Sequence, residues 1–285
     1  MAVLYAASFL IPRPISTYQT YELTPLEYRL LSLTVFIPLA LIWFAAFYGY
    51  AKLRIYSQKI IGTPEGPHIA RLTTGIMILA LGLPVTSLFS AATGLLIQHQ
   101  PEWTGFSVVV KNYINVFIPL TGFMFLSWGA RGLAQRSRQH SSYRTFALFT
   151  LVFAVIGVTY CYLTLTAPDL ASSHHMPGWL VSLTLTLPYL YTWFLGLIAA
   201  YHIHIYSRTV TGVVYRNAWK TLAQGLGVIL IIRIAIQYIA AATAATSDMR
   251  LARLLLIIYV FEALYAIGYI IVAVGAKRLQ KIEEV

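Results

Sequence analysis

The sequence predicts an all-α integral membrane protein with seven transmembrane helices in a 3+1+3 arrangement. The two triplets form a parallel internal repeat, with the N-terminus outside and the C-terminus cytoplasmic. Three observations predict it. First, 59% of the 285 residues are hydrophobic and 10% are charged, with a mean hydropathy of +0.72. A soluble domain would carry about a quarter charged residues, so lipid must solvate most of this surface. Second, seven apolar stretches are long enough to cross a hydrocarbon core of roughly 30 Å as helices. Third, Ser32-Leu33-Thr34…Pro38…Trp43-Phe44…Ile55-Tyr56-Ser57…Gly62 recurs 150 residues later as Ser182-Leu183-Thr184…Pro188…Trp193-Phe194…Ile205-Tyr206-Ser207…Gly212. Over residues 32–93 against 182–243 there are 15 identities in 62 positions, where composition alone gives roughly five. The identities favour Pro, Trp, Tyr and Gly, which aliphatic enrichment does not explain, and a fixed period marks a duplicated unit.

The elements follow in order. Thr24-Pro25-Leu26-Glu27 is a capping box with proline at the first helical position, so the first span, about Tyr28–Arg54, begins there. The second and third spans, about Ala70–Ile97 and Phe106–Arg131, carry Pro84 and Pro119. The fourth, about Tyr143–Thr166, joins the halves and holds the lone Cys161, which can form no internal disulfide. The fifth, about Trp179–Tyr206, repeats the first, and the sixth and seventh run about Trp219–Ala245 and Leu251–Lys277. The third members of each triplet align at an offset of 146, through Gly129-Ala130-Arg131-Gly132-Leu133 and Gly275-Ala276-Lys277-Arg278-Leu279. Five segments result: an external or interfacial stretch over 1–27, a first three-helix repeat over 28–133 and a linker helix with an external loop over 134–178. A second repeat then occupies 179–279 and a cytoplasmic tail 280–285.

The formal charge of +11 maps onto topology. The loops after spans 1, 3 and 5 and the tail hold 14 of the 20 basic residues, among them Lys52, Arg71, Arg136, Arg216 and Lys281. The other face holds Arg13, Arg29, Lys111, Arg250 and Arg253, and Arg233 stands alone inside a span. The positive-inside rule sets the orientation given above. The same residues imply the bilayer and its anionic inner-leaflet lipids as partners, and the charge requires no nucleic acid. No protein partner is identifiable from the sequence. The first twelve residues lack a basic n-region and do not read as a cleaved signal peptide.

Arg233 and Glu262 are the sharpest chemical feature, because a charge near the bilayer centre is expensive and marks a site by default. Each is expected roughly 21–22 Å from the cytoplasmic face on consecutive antiparallel helices, so the two should pair. The first repeat has Leu83 and, approximately, Val116 there, so the pair is an asymmetry of one half. One reading is a proton-coupling carboxylate or an anion site; the other is a permanent salt bridge that locks span 6 to span 7. Gln237, one turn beyond Arg233, and Tyr259 and Tyr269, on the Glu262 face of span 7, complete a candidate substrate- or ion-binding stripe. Pro38 and Pro188, at matched positions, are expected to kink spans 1 and 5, and paired interruptions in repeat halves point to a central site. Trp43 and Trp193 either pack between helices or stack on a ring-shaped ligand. Lys111, Asn112 and Asn115 form a polar patch read first as helix–helix hydrogen bonding. His202 and His204 read as membrane-edge anchors, and His174-His175 beside Asp169 as adventitious metal binders. No catalytic residue, cofactor site or metal-ligand spacing is expected, since neither a His-Glu-x-x-His nor a Gly-rich phosphate loop occurs.

In topology the chain resembles the SWEET sugar transporters and PQ-loop proteins. It departs from their motifs, with Pro38-Leu39 and Pro188-Tyr189 where PQ-loop proteins carry Pro-Gln, and Ile234 opposite Pro84. No functional residue is carried over. In texture, through Tyr56-Ser57…Pro64-Glu65-Gly66 and the ending Lys281-Ile282-Glu283-Glu284-Val285, it resembles seven-span proteins of candidate-phylum, Saccharibacteria-like bacteria. That resemblance implies a bacterial plasma-membrane protein of unknown activity. The leading expectation is a non-enzymatic small-solute carrier with its site between the repeats near mid-membrane. The alternatives are a membrane receptor or sensor and a scaffold subunit of a membrane complex.

Overall fold

The computed structural model describes residues 25–99, 104–135, 187–244 and 251–282, with 148, 151, 152, 155 and 159 in addition. Six long helices result: α1 (Pro25–Lys59), α2 (Gly66–His99), α3 (Thr104–Gln135), α4 (Leu187–Thr209), α5 (Val213–Ala244) and α6 (Leu251–Ile282). No strand occurs among the described residues. Stretches of α2, α3, α5 and α6 (Gly66–Thr86, Val116–Gln135, Val213–Ala235 and Val260–Lys281) are long and apolar enough to cross a membrane.

The helices run past the apolar stretches that announce them. The first begins at Pro25, where the cap signal stands, but continues to Lys59, because backbone hydrogen bonding does not stop where hydropathy falls. Pro38 sits inside it without ending it. The tight turn to α2 is held by Thr63, whose amide and hydroxyl both donate to the Ile60 carbonyl, at 3.0 and 2.8 Å. Between α4 and α5, Gly212 takes φ 96°, a left-handed conformation that glycine adopts freely, and its carbonyl accepts from the Arg216 amide at 3.0 Å.

Each helix packs on the next in sequence, and α6 returns to α1, which closes a ring of six. Two crossings in that ring are built alike. A Cβ added to Gly75 of α2 would stand 2.7 Å from the Gly122 carbonyl oxygen of α3. One added to Gly225 of α5 would stand 2.9 Å from the Gly268 carbonyl oxygen of α6. Lower down, Gly129 meets Leu72 and Gly275 meets Leu222 in the same way. Glycine lets these backbones approach as only small residues permit in lipid-solvated helices.

One continuous core fills the ring, with Ile42, Leu72, Leu120, Leu195, Ile203 and Leu230 fully buried. The outer surface is apolar as well. Ile37, Leu41, Phe44 and Tyr48 form an exposed stripe on α1, Leu187, Leu190, Phe194 and Leu197 one on α4, and Val260, Leu264, Ile267 and Ile270 one on α6. Helices that are apolar both inward and outward belong in lipid, not water, and the chain is a membrane protein. Leu148, Leu151, Val152 and Val155, on the predicted fourth span, are helical and exposed at helical spacing, another such stripe. Cys161, the segment before Pro25, the His174-His175 loop and the last three residues lie outside the described residues. So do the side chains of Lys111, Asn112 and Asn115.

Candidate functional site

The ring encloses a cavity of ≈ 250 Å³ to which all six helices contribute. Leu39 enters from α1, Leu79, Gly82 and Thr86 from α2, and Ile118, Pro119 and Phe123 from α3. From the other side come Tyr189, Thr192 and Trp193 of α4, Ile229, Leu230 and Arg233 of α5, and Glu262, Tyr265 and Tyr269 of α6. Among the described residues, the charged and phenolic groups of the lining come from α4, α5 and α6, while α1–α3 contribute apolar residues and Thr86.

Arg233 and Glu262 stand at equal height. Arg233 follows the first residue of α5 by 20 positions, and Glu262 precedes the last residue of α6 by 20. At 1.5 Å per residue each is about 30 Å from its helix end. That is farther than the apolar stretches alone suggest, because both helices extend beyond them. Both side chains are half-buried and line the cavity. They do not meet as expected: among the described residues no direct ion pair joins them. The Arg233 guanidinium instead lies 5.9 Å from the centre of the Tyr265 ring, within reach of a cation–π attraction. Tyr265 in turn packs edge-on against Tyr269 at 5.2 Å. The carboxylate and the guanidinium therefore share one cavity without bridging each other.

Of the other expected residues, Tyr269 lines the cavity, whereas the side chains of Gln237 and Tyr259 lie outside the described residues. Pro38 and Pro188 are buried. The Pro188 carbonyl accepts a 2.7 Å bond from the hydroxyl of Thr192, a cavity residue. The two tryptophans part company: Trp193 faces the cavity, while Trp43 packs on Phe44 and Phe47 at 5.2 and 5.1 Å. Tyr189 and Tyr265 also line the cavity, without a motif in the sequence that singles them out. Tyr265 follows Glu262 by three positions, a spacing that shares a helix face; Tyr189 occupies the position of Leu39 in the first repeat, and both line the cavity.

Below the cavity the ring is plugged. At the end that carries Lys59, Thr209 and Val213, the rings of Tyr56 (α1), Tyr206 (α4) and Tyr215 (α5) surround the fully buried Trp219, with centroids 6.4, 5.2 and 6.3 Å from it. The Tyr56 and Tyr215 hydroxyls share a short hydrogen bond, and the Tyr206 hydroxyl faces Tyr215 and Glu65. Tyr56 and Tyr206 were legible only as repeat markers; that they converge on one indole required the fold.

No family model, curated protein or solved structure matches this chain. The site therefore stands on its own geometry. His202, with Nδ1 buried and without a hydrogen-bond partner among the described residues, packs its ring at 5.6 Å on Tyr201. No group of three or more metal-ligating side chains occurs among the described residues.

Proposed function

We propose that this chain is a small-solute carrier whose binding site is the cavity at the centre of the ring. The observation that carries the reading is a central space bounded by every described helix and furnished with one cation, one anion and three phenols. A scaffold would fill that volume with aliphatic side chains, since charges near mid-membrane are expensive unless something uses them. A carrier needs an occupied centre that is sealed on at least one side. The aromatic plug around Trp219 supplies such a seal, made of residues from α1, α4 and α5.

The reading rests on a seven-span 3+1+3 topology, with α1–α3 and α4–α6 as parallel halves. The paired glycine crossings, Gly75 on Gly122 and Gly225 on Gly268, support it, as do the 15 identities of the repeat. In this reading the basic end faces the cytoplasm of a bacterial cell, as the positive-inside rule expects. The halves rock about the cavity, α1 and α4 lie opposite one another in the ring, and the plug parts to release solute inward.

The test is exchange in proteoliposomes with an isotopically labelled mixture of small metabolites, followed by mass spectrometry of the lumen. At least one solute is expected to equilibrate about tenfold faster than in protein-free vesicles, and Glu262→Gln is expected to lower that flux more than the melting temperature. Stabilisation by a solute without flux would make the protein a receptor. Neither binding nor flux, together with a stoichiometric copurifying protein, would make it a scaffold.

A further inference from the structure

Resting on the carrier reading, we infer that the cavity takes a zwitterion with an apolar third substituent, in chemical class an apolar α-amino acid. Three observations combine.

The first is charge. Arg233 and Glu262 face one cavity from adjacent helices at matched height, and among the described residues no ion pair joins them. Two opposite charges that merely locked α5 to α6 would close on each other, because each would otherwise remain without a counter-charge in a low-dielectric setting. An occupant that satisfies both must present a negative and a positive group at once. A carboxylate matches the fork of the guanidinium, which binds it through two parallel N–H···O bonds. An ammonium matches the Glu262 carboxylate, which lines the same cavity. A mono-anion or mono-cation leaves one of the two bare, and a sugar leaves both. Among the described residues the formal charge of the site is zero, which favours a solute of zero net charge.

The second is the rest of the wall. Leu79, Ile118, Phe123, Ile229 and Leu230 offer hydrocarbon, and Trp193 an indole. Apart from the charged and phenolic groups, the described lining residues offer the third substituent only the Trp193 indole, Thr86 and Thr192 as polar partners, and the Thr192 hydroxyl is already donated to the Pro188 carbonyl.

The third is size. At ≈ 250 Å³ the cavity lies just below the common range for ligand pockets. It holds about eight waters at roughly 30 Å³ each, so an occupant of about ten non-hydrogen atoms fits. Leucine has about this size.

The test uses the full chain in nanodiscs, with binding read by calorimetry and flux by the proteoliposome exchange described above. The probes are leucine, 4-methylpentanoate (its skeleton without the ammonium), 3-methylbutylamine (without the carboxylate) and glucose. Leucine is expected to bind wild type at least about tenfold more tightly than either mono-ion, because a site built for a charged group rejects the analogue that lacks it. Glu262→Gln is expected to erase the advantage of leucine over 4-methylpentanoate, and Arg233→Gln its advantage over the amine. Should a variant fail to fold, the comparison of analogues on wild type still decides. Equal binding of leucine and a mono-ion, or binding of glucose in its place, would overturn the zwitterion. So would flux of other solutes from the mixture with no response to leucine; in all of these cases the carrier reading survives. If no probe binds and no solute of the mixture crosses, both readings fall together.

Discussion

At the scale of single residues, the plug and the cavity ask different things of their side chains. Trp219 is among the largest fully buried groups, and its indole N–H finds no hydrogen-bond partner among the described residues. Its contribution is therefore packing against Tyr56, Tyr206 and Tyr215. Trp219→Ala is expected to cost about 3–5 kcal/mol, as truncation of buried aromatics does. Trp219→Phe surrenders no hydrogen bond and should lose clearly less. Thermal unfolding in detergent checks this: equal melting of the two variants would mean that the indole is not the keystone of the plug. Arg233 and Glu262 behave otherwise. Their charges are held in a cavity without a direct bridge, so the protein tolerates a cost there that close packing elsewhere must offset.

At the scale of elements, the glycine crossings set how near the helices come. Gly75 and Gly225 each abut the backbone of the next helix at under 3 Å from where a Cβ would stand. Gly75→Val and Gly225→Val should each cost about 1–3 kcal/mol or more, since neither neighbour is a flexible side-chain end. The two losses should be similar, because the two contacts are alike. Gly227 meets nothing within 4 Å, so Gly227→Ala should be neutral or stabilise by about 0.5–1 kcal/mol through helix propensity. Melting temperatures of the three variants decide it; a harmless Gly225→Val beside a damaging Gly75→Val would show that the halves are not packed on one plan. How much of this the sequence disclosed depends on the signal involved. The starts and centres of the helices were legible, since Pro25 carries a cap signal and apolar length marks the spans. Their ends at the basic face were not, because α1 persists to Lys59 and α3 to Gln135 after hydropathy falls. The equal height of Arg233 and Glu262 was readable from counting along two helices. Their failure to close on each other was not, because side-chain direction on two packed helices, with the Arg233 guanidinium turned to the Tyr265 ring, does not follow from counting along them. Gln237 and Tyr259 stay with the expectation, their side chains lying outside the described residues.

At the scale of the whole molecule, the decisive question is whether the ring is one rigid body or two halves with a breakable contact. The plug is where that difference would be felt. Tyr56 of α1 bonds Tyr215 of α5, and Tyr206 of α4 faces both Tyr215 and Glu65, which immediately precedes α2. The Tyr56–Tyr215 and Tyr206–Glu65 contacts run between residues before position 100 and residues after 187, while Tyr206–Tyr215 joins the neighbouring helices α4 and α5. A buried hydroxyl pair contributes about 0.5–1.5 kcal/mol net. Tyr56→Phe combined with Tyr206→Phe, two such losses, should thus raise the population with a parted plug by at least about fivefold and up to about a hundredfold if the halves move as units, by the ordinary conversion of about 1.4 kcal/mol to a factor of ten. Hydrogen exchange in nanodiscs reads that population locally. Faster exchange is expected over residues 50–60 and 213–220, with little change at the Gly75–Gly122 and Gly225–Gly268 crossings, which lie within the halves. Exchange that rises everywhere would mean that the variant is merely less stable. Exchange that rises nowhere would mean that the plug does not open, and a ring that cannot part at its plug has no inward route for a solute held beside Arg233 and Glu262.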